Sequence, residues 1–206
     1  MSIEFFSFDN LHLLGGHAMP VIVKTRAGEV RISVDEGPGQ INLEKIPTLK
    51  AAFKKDGTIT AASSSSINDG AAAMVMMREG TAKELGCKPL AKIVAHVTHA
   101  QDPNWFATAP LGATQKVLAK TGWKVDDVDL WEINEAFAVV PMALLAELNI
   151  AHAKVNVNGG ACALGHPIGA SWSRMIHALK ARGLKKGVAT LCIGGGEATA
   201  LALELI

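Results

Sequence analysis

From residue 71 onward the chain switches repeatedly between strand-like and helix-like hydrophobic periods, and that alternation restricts the fold more than any other property of the sequence. Residues 71–77 form a continuous apolar run of strand length, followed by a short helix that ends near Gly86. Residues 90–97 read as the next strand, and Pro110 opens a helix that Gly122 closes. Residues 129–133 are a strand, with Asn134 as cap of a helix over 135–148 that is apolar nearly all round. Pro141 lies deep enough in that helix to remove the bond to the Phe137 carbonyl, which predicts a kink. Val155 and Val157 alternate with asparagines as in a short strand over 154–157, and glycines at 159, 160 and 165 turn the chain. Pro167 then marks the start of a helix whose buried face is Ile168, Trp172, Met175, Ile176 and Leu179. Residues 188–193 and 198–206 are strands flanking Gly194-Gly195-Gly196. Such an order predicts an α/β layered fold with a largely parallel or mixed sheet and buried central helices.

The first third is less regular. Residues 20–25 and 30–34 read as a hairpin about 26–29, 36–40 break structure, and a short helix after Asn42 is interrupted at Pro47. A turn at 54–57 precedes 58–61, and Ser63 to Ser66 is a serine run with the composition of a linker. The balance of 20 basic against 19 acidic residues, with no basic run between aromatics, argues against a nucleic-acid surface. Cys87, Cys162 and Cys192 have neither metal spacing nor an even count, which favours a reducing, cytoplasmic compartment and no metal site. His96 and His99 lack a neighbouring carboxylate or cysteine and are not expected to bind a metal. Residues 1–14 are apolar but carry Glu4 and Asp9 without a basic leading region, unlike a signal peptide. No apolar run reaches the roughly 18 residues of a membrane span, so a soluble protein without membrane association is expected.

In open α/β sheets a site forms outside the carboxyl ends of the strands. Three chemically apt residues are expected there: Asn134 after 129–133, His166 after 154–157, and Cys192 ending 188–193. The residue before a proline avoids helical backbone, so His166 should project its imidazole from the turn at the helix mouth. Residues 194–196 offer backbone amides that can approach a ligand oxygen, as an oxyanion hole requires. Local evidence alone equally allows Asn134 as a helix cap and Cys192 as a small buried hydrophobe. Trp172, on the face with Ile168 and Ile176, is expected in the core. No glycine cluster matches a phosphate loop or a dinucleotide fingerprint.

Three segments carry a resemblance: Asn134-Glu135-Ala136-Phe137-Ala138; Val155-Asn156-Val157-Asn158-Gly159-Gly160 running to Gly165-His166-Pro167-Ile168-Gly169-Ala170-Ser171; and Cys192-Ile193-Gly194-Gly195-Gly196. Together with 57–61 and 67–73 they resemble the carboxyl-terminal signatures of the thiolases, most closely those that act as acetyl-CoA acetyltransferases. The resemblance spans roughly residues 40–206. It implies a layered thiolase-like fold in which 1–62 are part of a loop subdomain. Residues 63–88 would be the last strand and helix of an amino-terminal half, and 89–206 a carboxyl-terminal half with a mixed five-stranded sheet.

The implied activity, within fatty acid metabolism, is condensation of two acetyl-CoA to acetoacetyl-CoA, or thiolysis of a 3-ketoacyl-CoA, with coenzyme A thioesters as substrates and no further cofactor. By the same resemblance Cys192 moves the acyl α-proton, and His166, with a water held by Asn134, stabilises developing charge. Gly194 gives an oxyanion-hole amide and Ser65 touches coenzyme A. The chain departs from the family in having no cysteine in a Ser-x-Cys-x-Ser-Gly context, so little condensing activity is expected of it alone. Trp172 and Ser173 stand where Gly-Ala is usual, Cys162 where an aliphatic residue is usual, and Glu197 for a frequent glutamine. A half sandwich would leave apolar surface uncovered, which predicts a homo-oligomer.

Overall fold

The computed structural model describes residues 2–4, 20–34, 36–167 and 170–206. Expectations for residues 1–14 and for Ile168 fall largely or wholly outside them. Strand β1 (Ser2–Glu4) precedes the hairpin of β2 (Val21–Thr25) and β3 (Gly28–Ile32), a short helix α1 (Glu36–Gln40), β4 (Val75–Met77) and α2 (Glu79–Glu84). Then follow β5 (Ala91–Ala100), α3 (Ala109–Thr121), β6 (Leu130–Ile133), α4 (Val139–Leu148), α5 (Ala161–Leu164), α6 (Ser171–Arg182), β7 (Lys186–Ile193) and β8 (Glu197–Leu205). Among the described residues the main sheet has six strands in the order β4-β1-β5-β8-β7-β6; residues 89–206 supply four of them, β5 to β8, against the five expected there. Only β6 and β7 pair in parallel; every other neighbouring pair is antiparallel.

Strand β8 explains the layering. Its alanines 198, 200 and 202 face one way and Leu201 and Leu203 the other, and all five are buried. The alanine face lets Ala109, Ala113 and Val117 of α3 approach closely, with Val140 and Leu144 of α4 beside them. The leucine face receives Met175, Ile176, Ala178 and Leu179 of α6, together with Leu130 and Ala189. Helices therefore cover both faces of the sheet. Each fully buried aliphatic side chain adds roughly 1.5–3 kcal/mol relative to leaving it in water. α3 and α6 stop at Gly122 and Gly183 with φ of +71° and +65°, the left-handed conformation that glycine adopts without a Cβ penalty.

Several expectations are corrected. Residues 154–157 form no strand: a 3₁₀ turn at His152–Lys154 leads to one isolated bridge, Val155 to Trp131, and Asn156 leaves the β region at φ +46°. The helix expected over 135–148 begins at Val139, with Ala138 as its cap. Pro141 therefore lies in the first turn, where no amide partner is lost, and the reason for a kink disappears. α4 is not enclosed all round, since Val139 is 44% and Met142 64% exposed. The helix expected at Pro167 begins at Ser171. The hairpin at 20–34 is found, with its valines and isoleucines exposed.

Candidate active site

The site grows from the carboxyl end of β6. Asn134 donates its backbone amide to the Thr190 carbonyl (3.0 Å), extending the parallel ladder by one residue. It caps no helix; its side chain is buried, with Nδ2 3.4 Å from His166 Nδ1 and 3.5 Å from Ser171 Oγ. His166 does not stand at a helix mouth but in the loop between α5 and α6, its backbone amide donating to the Ser66 carbonyl (3.0 Å). Burial lowers its pKa, so the ring is neutral at pH 7. An amide donor at Nδ1 needs the free lone pair there, which leaves the proton on Nε2. Such an imidazole can give a proton or a hydrogen bond from Nε2 while Asn134 fixes its other nitrogen.

Asn156 and Glu135, which the sequence reading passed over as site residues, hold this corner in place. Asn156 accepts from the Ile133 amide and donates to the Ile133 carbonyl, both at 2.8 Å, taking the place of a neighbouring strand. Its Nδ2 also donates to Glu135 Oε1 (2.8 Å), and Glu135 Oε2 accepts from the Cys162 amide (3.0 Å) at the start of α5. The carboxylate occupies the space beside Gly160, where a Cβ would lie 2.0 Å from it. Burial and the adjacent Glu135 push the Cys162 thiol up to about 11, which keeps it a protonated, inert thiol.

The serine run is not a free linker. Ser64 bridges Phe137, Ala138 donates to the Ser63 carbonyl, and both the amide and the hydroxyl of Ser65 donate to the Ala136 carbonyl at 3.1 Å. Beyond it, a Cβ at Gly165 would lie 2.1 Å from the Asn68 side chain, and one at Gly70 2.4 Å from Pro167. Loop 64–70 is thus seated on the His166 loop.

Cys192 lies near the end of β7, half-buried against the core under α3, and burial raises its pKa. Among the described residues it shares no hydrogen bond with His166. The structure therefore joins Asn134 to His166, while Cys192 stands on the neighbouring strand two residues past the Thr190 carbonyl that receives Asn134. Gly194 is open where a Cβ would project; Gly196, at φ +94°, packs on Gln101 and Pro103. Trp172 is half-buried, meeting the His96 ring edge-on at 6.2 Å, so its bulk is taken up on β5. His96 and His99, three apart on β5, point to opposite faces; the first bonds Thr199, and the second bonds Gln101 and packs on α3 at Gly112.

Behind Asn134, Glu132 and Arg174 form a buried ion pair at 3.6 Å. Burial outweighs the attraction of Arg174, and with Glu135 adding repulsion the Glu132 carboxyl is raised to about 7. The folded chain keeps this proton where the unfolded chain, with an ordinary carboxyl near 4.5, has lost it. Stability from this group is present in full below pH 4.5 and is lost as pH rises through about 7. We expect Glu132→Gln to flatten the fall in urea midpoint between those pH values, a difference of about 3 kcal/mol. An unchanged slope would show that Glu132 stays ionised throughout.

Two family models match the chain: "Thiolase, C-terminal domain" over residues 87–205 and "Thiolase, N-terminal domain" over 15–80. An acetyl-CoA acetyltransferase of Rhizobium meliloti is 47% identical over 191 residues, covering 90% of this chain and 49% of its own length. One of Syntrophomonas wolfei is 45% identical over 194 residues, covering 91% and 49%. The crystal structure of the Bacillus anthracis acetyl-CoA acetyltransferase superposes with a TM-score of 0.85 at 47% identity, over 91% of this chain and 49% of that one. A thiolase from Ascaris suum in complex with coenzyme A does so with a TM-score of 0.81 at 42% identity, over 90% and 49%. The chain spans about half the length of the relatives it matches.

Proposed function

The chain belongs to the thiolase family, and from that premise we propose that it supplies the proton-moving and oxyanion-binding part of a site for acyl transfer between coenzyme A thioesters. The observation that carries this is the contact of buried Asn134 with the half-buried, neutral ring of His166, 3.4 Å apart. In the proposed reaction, two acetyl-CoA give acetoacetyl-CoA and coenzyme A, or the reverse. Cys192 rests as a thiol, the form its burial favours; it gives that proton to the coenzyme A thiolate that leaves when the first acetyl group is transferred, and the resulting Cys192 thiolate takes the α-proton of the second acetyl-CoA. The Nε2 proton of His166, a water on Asn134 and the Gly194 amide face the oxygen on which charge develops. Ser65, already tied to the Ala136 carbonyl, lies on the segment assigned to coenzyme A.

None of Cys87, Cys162 and Cys192 has the sequence context of the family's acyl-accepting cysteine, so covalent transfer is assigned to a second polypeptide segment. Residues 1–62, 63–88 and 89–206 are the proposed units of this arrangement, in a cytoplasmic homo-oligomer. No helix among the described residues is long and apolar enough to cross a membrane.

The test is thiolysis of acetoacetyl-CoA by the purified chain, alone and mixed with a cysteine-bearing amino-terminal half of a relative. Alone, we expect no turnover and no acetyl adduct by intact mass after incubation with acetyl-CoA. In the mixture we expect turnover that His166→Ala lowers by about 10²–10⁴-fold. The absence in this sequence of that cysteine context also supports a second reading, a non-catalytic coenzyme A-binding or assembly remnant. Coenzyme A binding by calorimetry without turnover in any mixture would select it.

A further inference from the structure

Glu132 and Asn134 are two residues apart at the end of β6, so their side chains leave the strand on the same side. Ser171 and Arg174 are three apart on α6 and share one face of the helix. The two spacings match across the gap. Asn134 meets Ser171 at 3.5 Å and Glu132 meets Arg174 at 3.6 Å, giving two polar rungs between strand and helix. Arg174 also donates through Nη2 to the carbonyls of Asn158 and Gly159, fastening the loop that leads into α5. Glu132 is 6% and Asn134 7% exposed, so neither rung is a surface pair that solvent would screen away.

Among the described residues, the buried atoms without a hydrogen-bond partner include Asn134 Oδ1 and Arg174 Nε. Both residues, with Glu132 and Ser171, line one narrow cleft that has room for about one water. The Asn134 amide is therefore held on its Nδ2 side by His166 and Ser171, while its oxygen faces this cleft without a protein partner. Retreat of the first turn of α6 would lengthen the Asn134–Ser171 contact and free the Asn134 amide to turn away from His166.

We propose that the buried Glu132–Arg174 pair is a positioning device: it locks the first turn of α6 against β6 so that Asn134 presents its amide to His166. Neither member of the pair is hydrogen-bonded to the imidazole among the described residues, and the pair acts through Asn134 and Ser171. The importance of His166 rests on the acyl-transfer assignment above, but the geometry of the pair does not.

The test reads His166 in the resting chain, without substrate. Ring nitrogens are labelled with ¹⁵N, and the His166 signals are assigned by their loss in His166→Gln. Arg174→Lys keeps the charge and loses the planar fork; Glu132→Asp keeps the charge and shortens the reach by one methylene. In either, we expect the His166 Nδ1 signal to move to the position of a nitrogen without a hydrogen-bond donor. We also expect the ring pKa to rise toward the ordinary histidine value of about 6.5. Glu132→Gln keeps an acceptor for Arg174 and is expected to preserve the wild-type Nδ1 signal.

Arg174→Lys leaves the local net charge as it was, so a simple field effect does not move its readings; Glu132→Asp is read beside Glu132→Gln, because the carboxyl at 132 itself titrates near 7. A folded Arg174→Lys or Glu132→Asp protein with the wild-type Nδ1 shift and titration overturns the proposal and leaves the pair a plain structural tie. Either variant decides if the other fails to fold. Lack of turnover in the mixing experiment would remove the acyl-transfer assignment and leave this result standing.

Discussion

Replacing Asn156 by alanine is expected to lower the unfolding free energy by roughly 3–5 kcal/mol, read from urea denaturation, and to release His166 from Asn134. The side chain makes three bonds of 2.8 Å: it accepts from the Ile133 amide and donates to the Ile133 carbonyl and to Glu135 Oε1. Ile133 is fully buried, so alanine strands two backbone groups out of reach of water. Each such group costs about 1–3 kcal/mol. Alanine also inherits a backbone at φ +46°, where asparagine is several-fold more comfortable than other residues with a Cβ. Asn156→Asp refines the expectation. It keeps the acceptor for the Ile133 amide but turns a donor into an oxygen facing the Ile133 carbonyl and the Glu135 carboxylate, so it should be at least as damaging at neutral pH. A loss under 1 kcal/mol for both would mean that Ile133 finds other partners, and that the corner does not depend on residue 156.

That corner also marks where the sequence stopped being legible. The sheet and its large helices could be read because hydrophobic period is a local property: β5, β7, β8, α3 and the carboxyl end of α2 lie close to where the pattern of residues 71–206 places them. Asn134 does lie at a strand end, but His166 comes to it from the loop between α5 and α6, and the strand expected at 154–157 is absent. Asn156 is the reason for that error. An alternating Val-Asn-Val-Asn run has the period of a strand, but the asparagine amide supplies the ladder bonds by side chain, so the backbone is free to turn.

Pro141 misled for a similar reason. A cap at Asn134 would start the helix at Glu135, whereas Ala136 and Ala138 spend backbone groups on Ser65 and Ser63 and the helix starts at Val139. The Glu132–Arg174 pair could not be foreseen because it joins residues 42 apart whose burial depends on α6 folding back over β6. Only the even spacing of Glu132 and Asn134 on one strand face hinted at it. The exposure of Met142 and Val139 was hidden too, since a helix apolar on all sides says nothing about which side has a cover in this chain.

Gly165→Ala should produce the other large effect, and a local one. Gly165 sits at φ +84° and ψ 175°, a region that residues with a Cβ essentially do not occupy. The added methyl would lie 2.1 Å from the Asn68 side chain. Keeping both loops in place would cost about 1–3 kcal/mol of backbone strain plus a hard overlap. The loop that must yield is held more weakly than that. Residues 66–70 are exposed, and their backbone tie to the His166 loop is the bond from the His166 amide to the Ser66 carbonyl, a contribution of about 1 kcal/mol. The cheaper response is therefore undocking of 66–70, with the layers of α3, α6 and the sheet left intact. Hydrogen exchange should report protection of the His166 amide falling at least about tenfold, while amides in the middle of α3 and β8 keep theirs to within a small factor. Gly70→Ala, whose methyl meets Pro167 at 2.4 Å from the opposite side, should reproduce the pattern. Uniform loss of protection through α3 and β8 would instead mean that the two loops are part of the cooperative core, and that the seat of His166 cannot loosen without unfolding the whole chain.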